Sequence, residues 1–135
     1  MKQEDKELLL KDICSRLPYG VKVQTTYINL KSGERKDIGI DVLTTVEISM
    51  LIDGIEEHKP YLFPMSSMTE EQKKEYESLC IKETSEYSDL YGIIFAKDHY
   101  YDTVESIDYL YKNHIDVRGL IPLGLAIDCT NLKIY

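Results

Sequence analysis

Two periodicities organise the chain. Leu10, Ile13, Cys14 and Leu17 recur at helical spacing, with Lys6, Glu7, Lys11 and Asp12 on the other side. Pro18 cannot continue a helix and Gly20 frees the backbone to turn, so the pattern predicts a helix over about residues 4–17. From Val21 the period drops to two. Val21, Val23, Thr25 and Tyr27 alternate with Lys22, Gln24 and Thr26, and a polar turn covers residues 31–36. Ile38, Ile40, Val42, Thr44, Val46, Ile48 and Met50 then hold every second position, which predicts sheet with one buried face. Fourteen residues exceed an ordinary strand, so a break near Leu43–Thr45 is expected, giving two strands. Asp53-Gly54 between Ile52 and Ile55 reads as a hairpin turn.

Residues 58–68 form an apolar connector bracketed by Pro60 and Pro64. Thr69 to Gln72 is a capping box opening a helix that runs to about Lys82, with Tyr76, Leu79 and Cys80 on its apolar face. Leu90 to Ala96 is an apolar run that fits a strand or a buried helical turn. Asp102 and Glu105 have the spacing of a second capping box, before a helix carrying Val104, Ile107, Leu110 and Tyr111 and ending near Asn113–His114. Residues 119–128 read as a packed loop or short helix, and Leu132–Tyr135 as strand-like. No repeat, low-complexity tract or linker stands out. The expected architecture is a single α+β domain over residues 1–135: an N-terminal helix, a three- to four-stranded antiparallel sheet, then two or more helices packed on it.

Composition agrees with a folded domain, at 43% hydrophobic and 30% charged residues. The net charge of −8 is uneven: residues 1–67 carry 9 Lys/Arg against 11 Asp/Glu, and residues 68–135 carry 7 against 13. Such a surface repels phosphate backbones, which argues against a nucleic-acid partner. Cys14, Cys80 and Cys129 are odd in number and far apart, which is no disulfide framework and suits a reducing compartment. The first residues run into a charged helical pattern rather than a signal peptide, and no apolar run is long enough to span a bilayer. A cytoplasmic protein without a membrane partner is the expectation.

Candidate chemistry is sparse. His99, Asp102 and Glu105 lie close in sequence, but the last two serve a helix start, and no metal-ligand motif such as H-E-x-x-H is present. Cys14 and Cys80 fall on apolar helix faces, where cysteines are inert, and Asp128 disfavours a thiolate at Cys129. The seven glycines are isolated, so there is no phosphate-cradling loop and no G-x-S-x-G. No catalytic residue, metal site or cofactor is assigned. Eleven tyrosines without a tryptophan are unusual, and six lie at 87, 91, 100, 101, 109 and 111. Tyrosine supplies contact area at low entropic cost, so Tyr100 and Tyr101 are the first candidates for an interaction surface. One ring of that pair is expected to be exposed. Tyr61 and Phe63 in the proline-bracketed connector, and Arg118, are further candidates.

The segment Lys59-Pro-Tyr-Leu-Phe-Pro-Met-Ser-Ser-Met-Thr-Glu-Glu-Gln72 resembles a group of small uncharacterised proteins of gut-anaerobe genomes, phages and mobile elements. The likeness continues at Leu8–Asp12 with Arg16–Val21, at His114–Ile121 and at Gly124–Asp128. The resemblance implies a setting and no mechanism; within it, Arg118 is expected to pair with Asp116 or a helix C-terminus while Gly119 turns the chain. A small non-enzymatic accessory protein that binds another protein, or itself as a homo-oligomer, is the leading expectation. A more specific form is an acidic inhibitor that covers a basic nucleic-acid site, which requires the carboxylates to be gathered. The alternative is a small-molecule or nucleotide-handling enzyme without a recognisable signature.

Overall fold

The computed structural model describes residues 1–135 and is α+β. The chain divides into two compact units, Met1–Ser67 with Tyr111–Tyr135 (unit 1) and Met68–Leu110 (unit 2).

Unit 1 begins with helix α1 (Gln3–Arg16), followed by a 3-10 turn at Leu17–Tyr19. Gly20 ends it with φ 67°, a conformation costly for any residue with a Cβ. Strands β1 (Lys22–Ile28) and β2 (Arg35–Val42) form an antiparallel hairpin with an irregularity between Thr25 and Thr26. Helix α2 (Thr45–Ile52) and strand β3 (Glu56–Leu62) follow. β3 pairs antiparallel with β1, and the short β6 (Ile127–Asp128) pairs parallel with the end of β3, giving the order β2-β1-β3-β6. The sheet is therefore mixed. Leu9 and Ile13 of α1, Val21, Val23, Leu51, Leu62, Leu120 and Leu125 build its core.

The long alternation from Ile38 to Met50 is only half strand. At Thr44 the chain turns helical, because the Thr44 hydroxyl accepts the Val46 N–H at 3.2 Å and the Glu47 carboxylate accepts the Thr44 N–H at 2.9 Å. This reciprocal cap starts α2 and overrides the two-residue period, which a short helix can mimic. Replacing Thr44 with alanine should cost about 1 kcal/mol in urea unfolding, and an unchanged midpoint would show that the cap is dispensable. Asp53-Gly54 is likewise a helix end rather than a hairpin. Gly54 has φ 74°, its N–H bonds to Leu51 O at 3.2 Å, and Ile55 N–H reaches Met50 O at 3.1 Å. That pair of bonds closes the helix by satisfying its last carbonyls.

Unit 2 contains helix α3 (Glu70–Leu79), the antiparallel hairpin of β4 (Ile81–Ser88) and β5 (Ile94–Tyr101), and the first turns of helix α4 (Val104–Lys112). The Thr69–Gln72 capping box forms with both bonds in place. The second box sits one residue later than its spacing suggests. Thr103 and Ser106 exchange bonds, Thr103 N–H to Ser106 Oγ at 2.7 Å and Ser106 N–H to Thr103 Oγ1 at 3.1 Å. β4 is a strand where the sequence pattern gave no element beyond the helix ending near Lys82, and Leu90 to Ala96 splits into a turn and the start of β5. Residues 132–135 adopt no regular structure, in place of the strand-like end expected there.

The order helix, hairpin, helix occurs twice. Asn29 and Asp89 open the two hairpin turns in the same manner, each with its side-chain oxygen accepting two backbone N–H groups ahead of it. Gly33 (φ 73°) and Gly92 (φ 78°) close those turns. Thr44-Thr45-Val46-Glu47 and Asp102-Thr103-Val104-Glu105 begin the second helices, while Gly54 (φ 74°) and His114 (φ 59°) follow their ends. Leu62-Phe63-Pro64 and Leu120-Ile121-Pro122 come next. The copies agree at turns and caps and diverge along the strands, which is why no repeat stands out in the sequence.

Candidate functional site

Two features stand out, one in each unit. In unit 1 it is a buried polar hub. Asp12 and Arg16 lie one helical turn apart on the inner face of α1, and both are fully buried. Arg16 Nε donates to Asp12 Oδ2 at 2.6 Å, and Arg16 Nη2 donates to Asp12 Oδ1 at 3.1 Å and to the Ile115 carbonyl at 2.7 Å. The guanidinium lies 4.9 Å from the centre of the Tyr111 ring. Arg118 approaches the same carboxylate, with Nε 3.7 Å from Asp12 Oδ1, and donates to the Tyr111 hydroxyl at 3.3 Å.

Arg118 therefore pairs with Asp12, not with Asp116 or a helix C-terminus. Asp116 accepts the N–H groups of Leu120 and Ile121 at 2.9 Å each, pinning the turn that Gly119 makes. Beside the hub, the His114 ring stacks on Tyr135 with centroids 3.7 Å apart. Tyr135 donates its hydroxyl to Tyr61 O at 2.8 Å. The inner stripe of α1 is thus Leu9, Asp12, Ile13 and Arg16, rotated from the expected Leu10, Ile13, Cys14 and Leu17, and Cys14 is exposed. A buried ion pair is invisible to a hydrophobic pattern.

A second polar trio in unit 1 has hydroxyl, imidazole and carboxylate in sequence. Thr25 Oγ1 lies 3.0 Å from His58 Nδ1, and His58 Nε2 lies 3.1 Å from Glu56 Oε2, too poorly aligned for a hydrogen bond. Thr25 and His58 face each other across β1 and β3, and both are buried. Thr25 and His58 tie the strand pair together, while Glu56 remains partly exposed. Cys129 is also buried, and burial, with Asp128 adding to it, pushes its thiol up to about 11. A thiol so placed stays protonated at neutral pH, which removes its nucleophilicity. Cys80 is half-buried and donates to the Tyr76 carbonyl. No group of three or more His, Cys, Asp or Glu side chains is placed to hold a metal ion.

The feature of unit 2 is an open surface. Among residues 68–110 only Met68, Ser106 and Leu110 are buried. The β4–β5 hairpin forms a two-stranded sheet of its own, exposed on both faces apart from half-buried Ser85 and His99. Leu90 at its tip is 100% exposed and Tyr91 is 89% exposed. Ile81, Tyr87, Ile94 and Phe95 continue the apolar surface along the strands. Tyr100 and Tyr101 point to opposite faces of β5, as neighbours in a strand must, and are 41% and 51% exposed. Both rings are therefore accessible, where one was expected. Tyr87 and His99 bond across one face at 3.0 Å, and Thr84 donates to Asp98 on the other at 2.8 Å.

The remaining sequence candidates do not join this surface. Tyr61 is 6% exposed and its ring offers no contact area; Phe63 is half-buried, 6.1 Å from the Tyr135 ring. Both belong to the packing of unit 1. The residues that sequence reasoning passed over are Leu90 and Phe95, read there as a strand or a buried turn, while Tyr91 was counted in the tyrosine cluster without being singled out. An apolar run carries no mark of its exposure; Asp89 and Gly92, which bend the chain at that point, were the available signal. Because Leu90 and Tyr91 pack on nothing, Leu90→Ser and Tyr91→Ser should leave the thermal midpoint of the chain unchanged. A clear drop would show that the tip contributes to folding.

Charge follows the same division. Unit 2 holds four lysines against eleven Asp/Glu, a balance of −7, whereas unit 1 holds twelve basic against thirteen acidic residues, a balance of −1. The net negative charge therefore lies almost wholly in unit 2. No helix is long and apolar enough to cross a membrane. No family model matches the chain, and neither a curated protein nor a solved structure matches it.

Proposed function

We propose that the protein is a small accessory protein that acts by binding another protein, with the acidic unit 2 and its exposed hairpin as the contact surface. The observation that carries this reading is the two-stranded β4–β5 sheet, which is exposed on both faces and presents Ile81, Tyr87, Ile94, Phe95, Tyr100 and Tyr101 among its charges. A two-stranded hairpin is marginal in water without a third strand or a covering layer. Large exposed apolar patches rimmed by charge mark sites of protein contact. Tyrosine and phenylalanine are the residue types that anchor such contacts.

The charge selects the partner. A surface of −7 steers toward a protein with a basic face and repels both nucleic acid and a second copy of itself. An inhibitor covering the basic nucleic-acid site of a host or phage enzyme is the specific form of this reading, and the resemblance to phage and mobile-element proteins supplies its setting.

Affinity capture with the whole chain tests the reading, comparing wild type with Tyr91→Ser/Phe95→Ser and with Glu83→Lys/Glu86→Lys. The expected result is a captured protein with a basic surface, retained at low salt and lost by both variants. Truncating aromatic anchors should weaken binding at least about tenfold. Equal capture by wild type and both variants, or no capture, would overturn the proposal.

A further inference from the structure

The twofold occurrence of helix, hairpin and helix allows a comparison within the chain. In unit 1 the first strand of the hairpin is paired on both edges. β2 lies on one side of β1, and β3 lies antiparallel on the other, from Val23 opposite Pro60 to Tyr27 opposite Glu56. Counting back from the matching turns at Asn29 and Asp89, those β1 positions correspond to Glu83–Tyr87 of β4. β4 has β5 on one edge and no strand on the other. The segment after α4, which by order corresponds to β3, instead bridges Phe63 in parallel through Ile115. The position that β3 fills beside β1 is thus open beside β4.

The open edge carries unspent hydrogen bonds. Asp89 N–H donates to the Ile93 carbonyl at 3.0 Å within the hairpin. Bonding direction alternates along an antiparallel strand, so the N–H and C=O groups of Ser88, Glu86 and Thr84 point away from β5. All three residues are exposed. Exposed edges of this kind are templates for strand addition.

We propose that the free edge of β4 takes up an extended basic segment of a partner protein as a third, antiparallel strand, in the place β3 holds in unit 1. This rests on the reading of unit 2 as a protein-binding surface and specifies how it binds. Glu83 and Glu86 along the edge, with Asp89 at its end, select Lys or Arg on the incoming strand, since opposite charges across strands attract and like charges repel. Exposed Ile81 and Tyr87, on the same face as Glu83, select apolar side chains toward the two ends of that face. A second copy would bring two units of −7 each together, and their repulsion opposes self-pairing. The segment bound is therefore another protein's.

The probe is a short labelled peptide of valines with two lysines three positions apart, so that they meet Glu83 and Glu86 on opposite faces of the sheet, with the same peptide carrying glutamates for lysines as control, titrated into the whole chain. The expected result is binding of the lysine peptide only, with new amide-exchange protection at Ser88, Glu86 and Thr84. Thr84→Pro removes one outward N–H and leaves the hairpin's own bonds, so it should weaken binding at least about tenfold. A lysine peptide N-methylated at alternate amides should lose binding to the wild-type chain equally, which keeps the test valid if the proline variant fails to fold. Failure of the lysine peptide to bind, undiminished binding of the N-methylated peptide, or protection away from β4 would overturn strand addition. In those cases a basic protein captured by wild type and lost by Glu83→Lys/Glu86→Lys would leave the broader reading standing. Loss of both would end both.

Discussion

An Asp12→Ala chain should lose about 3–5 kcal/mol of stability, the largest effect expected of any single substitution here, because it strands a buried guanidinium without its anion. Arg16 is fully buried and spends Nε and Nη2 on Asp12, while its Nη1 has no hydrogen-bond partner. Without the carboxylate only the Ile115 carbonyl bond and the Tyr111 ring would remain. Arg118, within 3.7 Å of Asp12, would then add repulsion in place of attraction. Against a total stability of about 5–15 kcal/mol, such a loss removes about a fifth or more. Urea unfolding followed by circular dichroism measures it. The paired replacement Asp12→Leu/Arg16→Met should recover much of the loss, because removing both charges also removes their desolvation cost. A loss below about 1 kcal/mol for Asp12→Ala would show that water reaches the pair and screens it.

The hub also explains why several separated sequence segments belong together. Asp12 and Arg16 come from the opening segment, and His114, Ile115, Asp116 and Arg118 from the later one. Leu120, Leu125 and Ala126 from the last two pack in the same core as Leu9 and Ile13. What looks like a scatter of short motifs is a single arrangement in unit 1, in which an ion pair within α1 is tied to the Ile115 carbonyl 99 residues along the chain. Its residue types signal structure, and its burial keeps it from reacting with anything outside.

Local chemistry was legible in the sequence where it is local in the fold. Thr69 with Gln72, Pro18 with Gly20 and the β1 alternation are decided within a few residues, and each forms where the pattern places it. The α2 helix was not, because Val46, Ile48 and Met50 satisfy a strand period by coincidence and the deciding group is one hydroxyl on Thr44. The parallel β3–β6 pairing was equally hidden, since two residues of strand carry no period at all. The exposed surface of unit 2 was half legible. Tyrosine enrichment pointed to Tyr100 and Tyr101, but whether an apolar run is buried depends on which strands find partners. β4 lacks a second one, and that is a property of topology that no window of sequence contains.

Acid should destabilise the fold well above the pH at which carboxylates protonate, and His114 is the cause. Its ring is stacked on Tyr135, its Nδ1 has no hydrogen-bond partner, and burial, followed by the nearby charges of Arg16 and Lys22, holds its pKa down at about 4. An unfolded histidine titrates near 6.5, so between these values the unfolded chain binds the extra proton. Stability is therefore full above about pH 6.5 and falls as pH drops toward about 4, where the folded ring also protonates. His58, lowered by burial in spite of Glu56, acts in the same direction. Asp98 and Asp128, held below their ordinary values by bonds from Thr84 and Thr130, act in the opposite pH range. Their stabilisation is complete above the ordinary carboxylate value and is lost only as pH falls through their own lower pKa. From about pH 7.5 to about pH 5 the His114 ring alone should remove about 2 kcal/mol. His114→Asn keeps a residue tolerant of φ 59° and removes the titration. That variant should start less stable, for want of the Tyr135 stack, yet lose distinctly less than the wild type across the same interval. Equal losses in parallel urea titrations would place the acid sensitivity elsewhere.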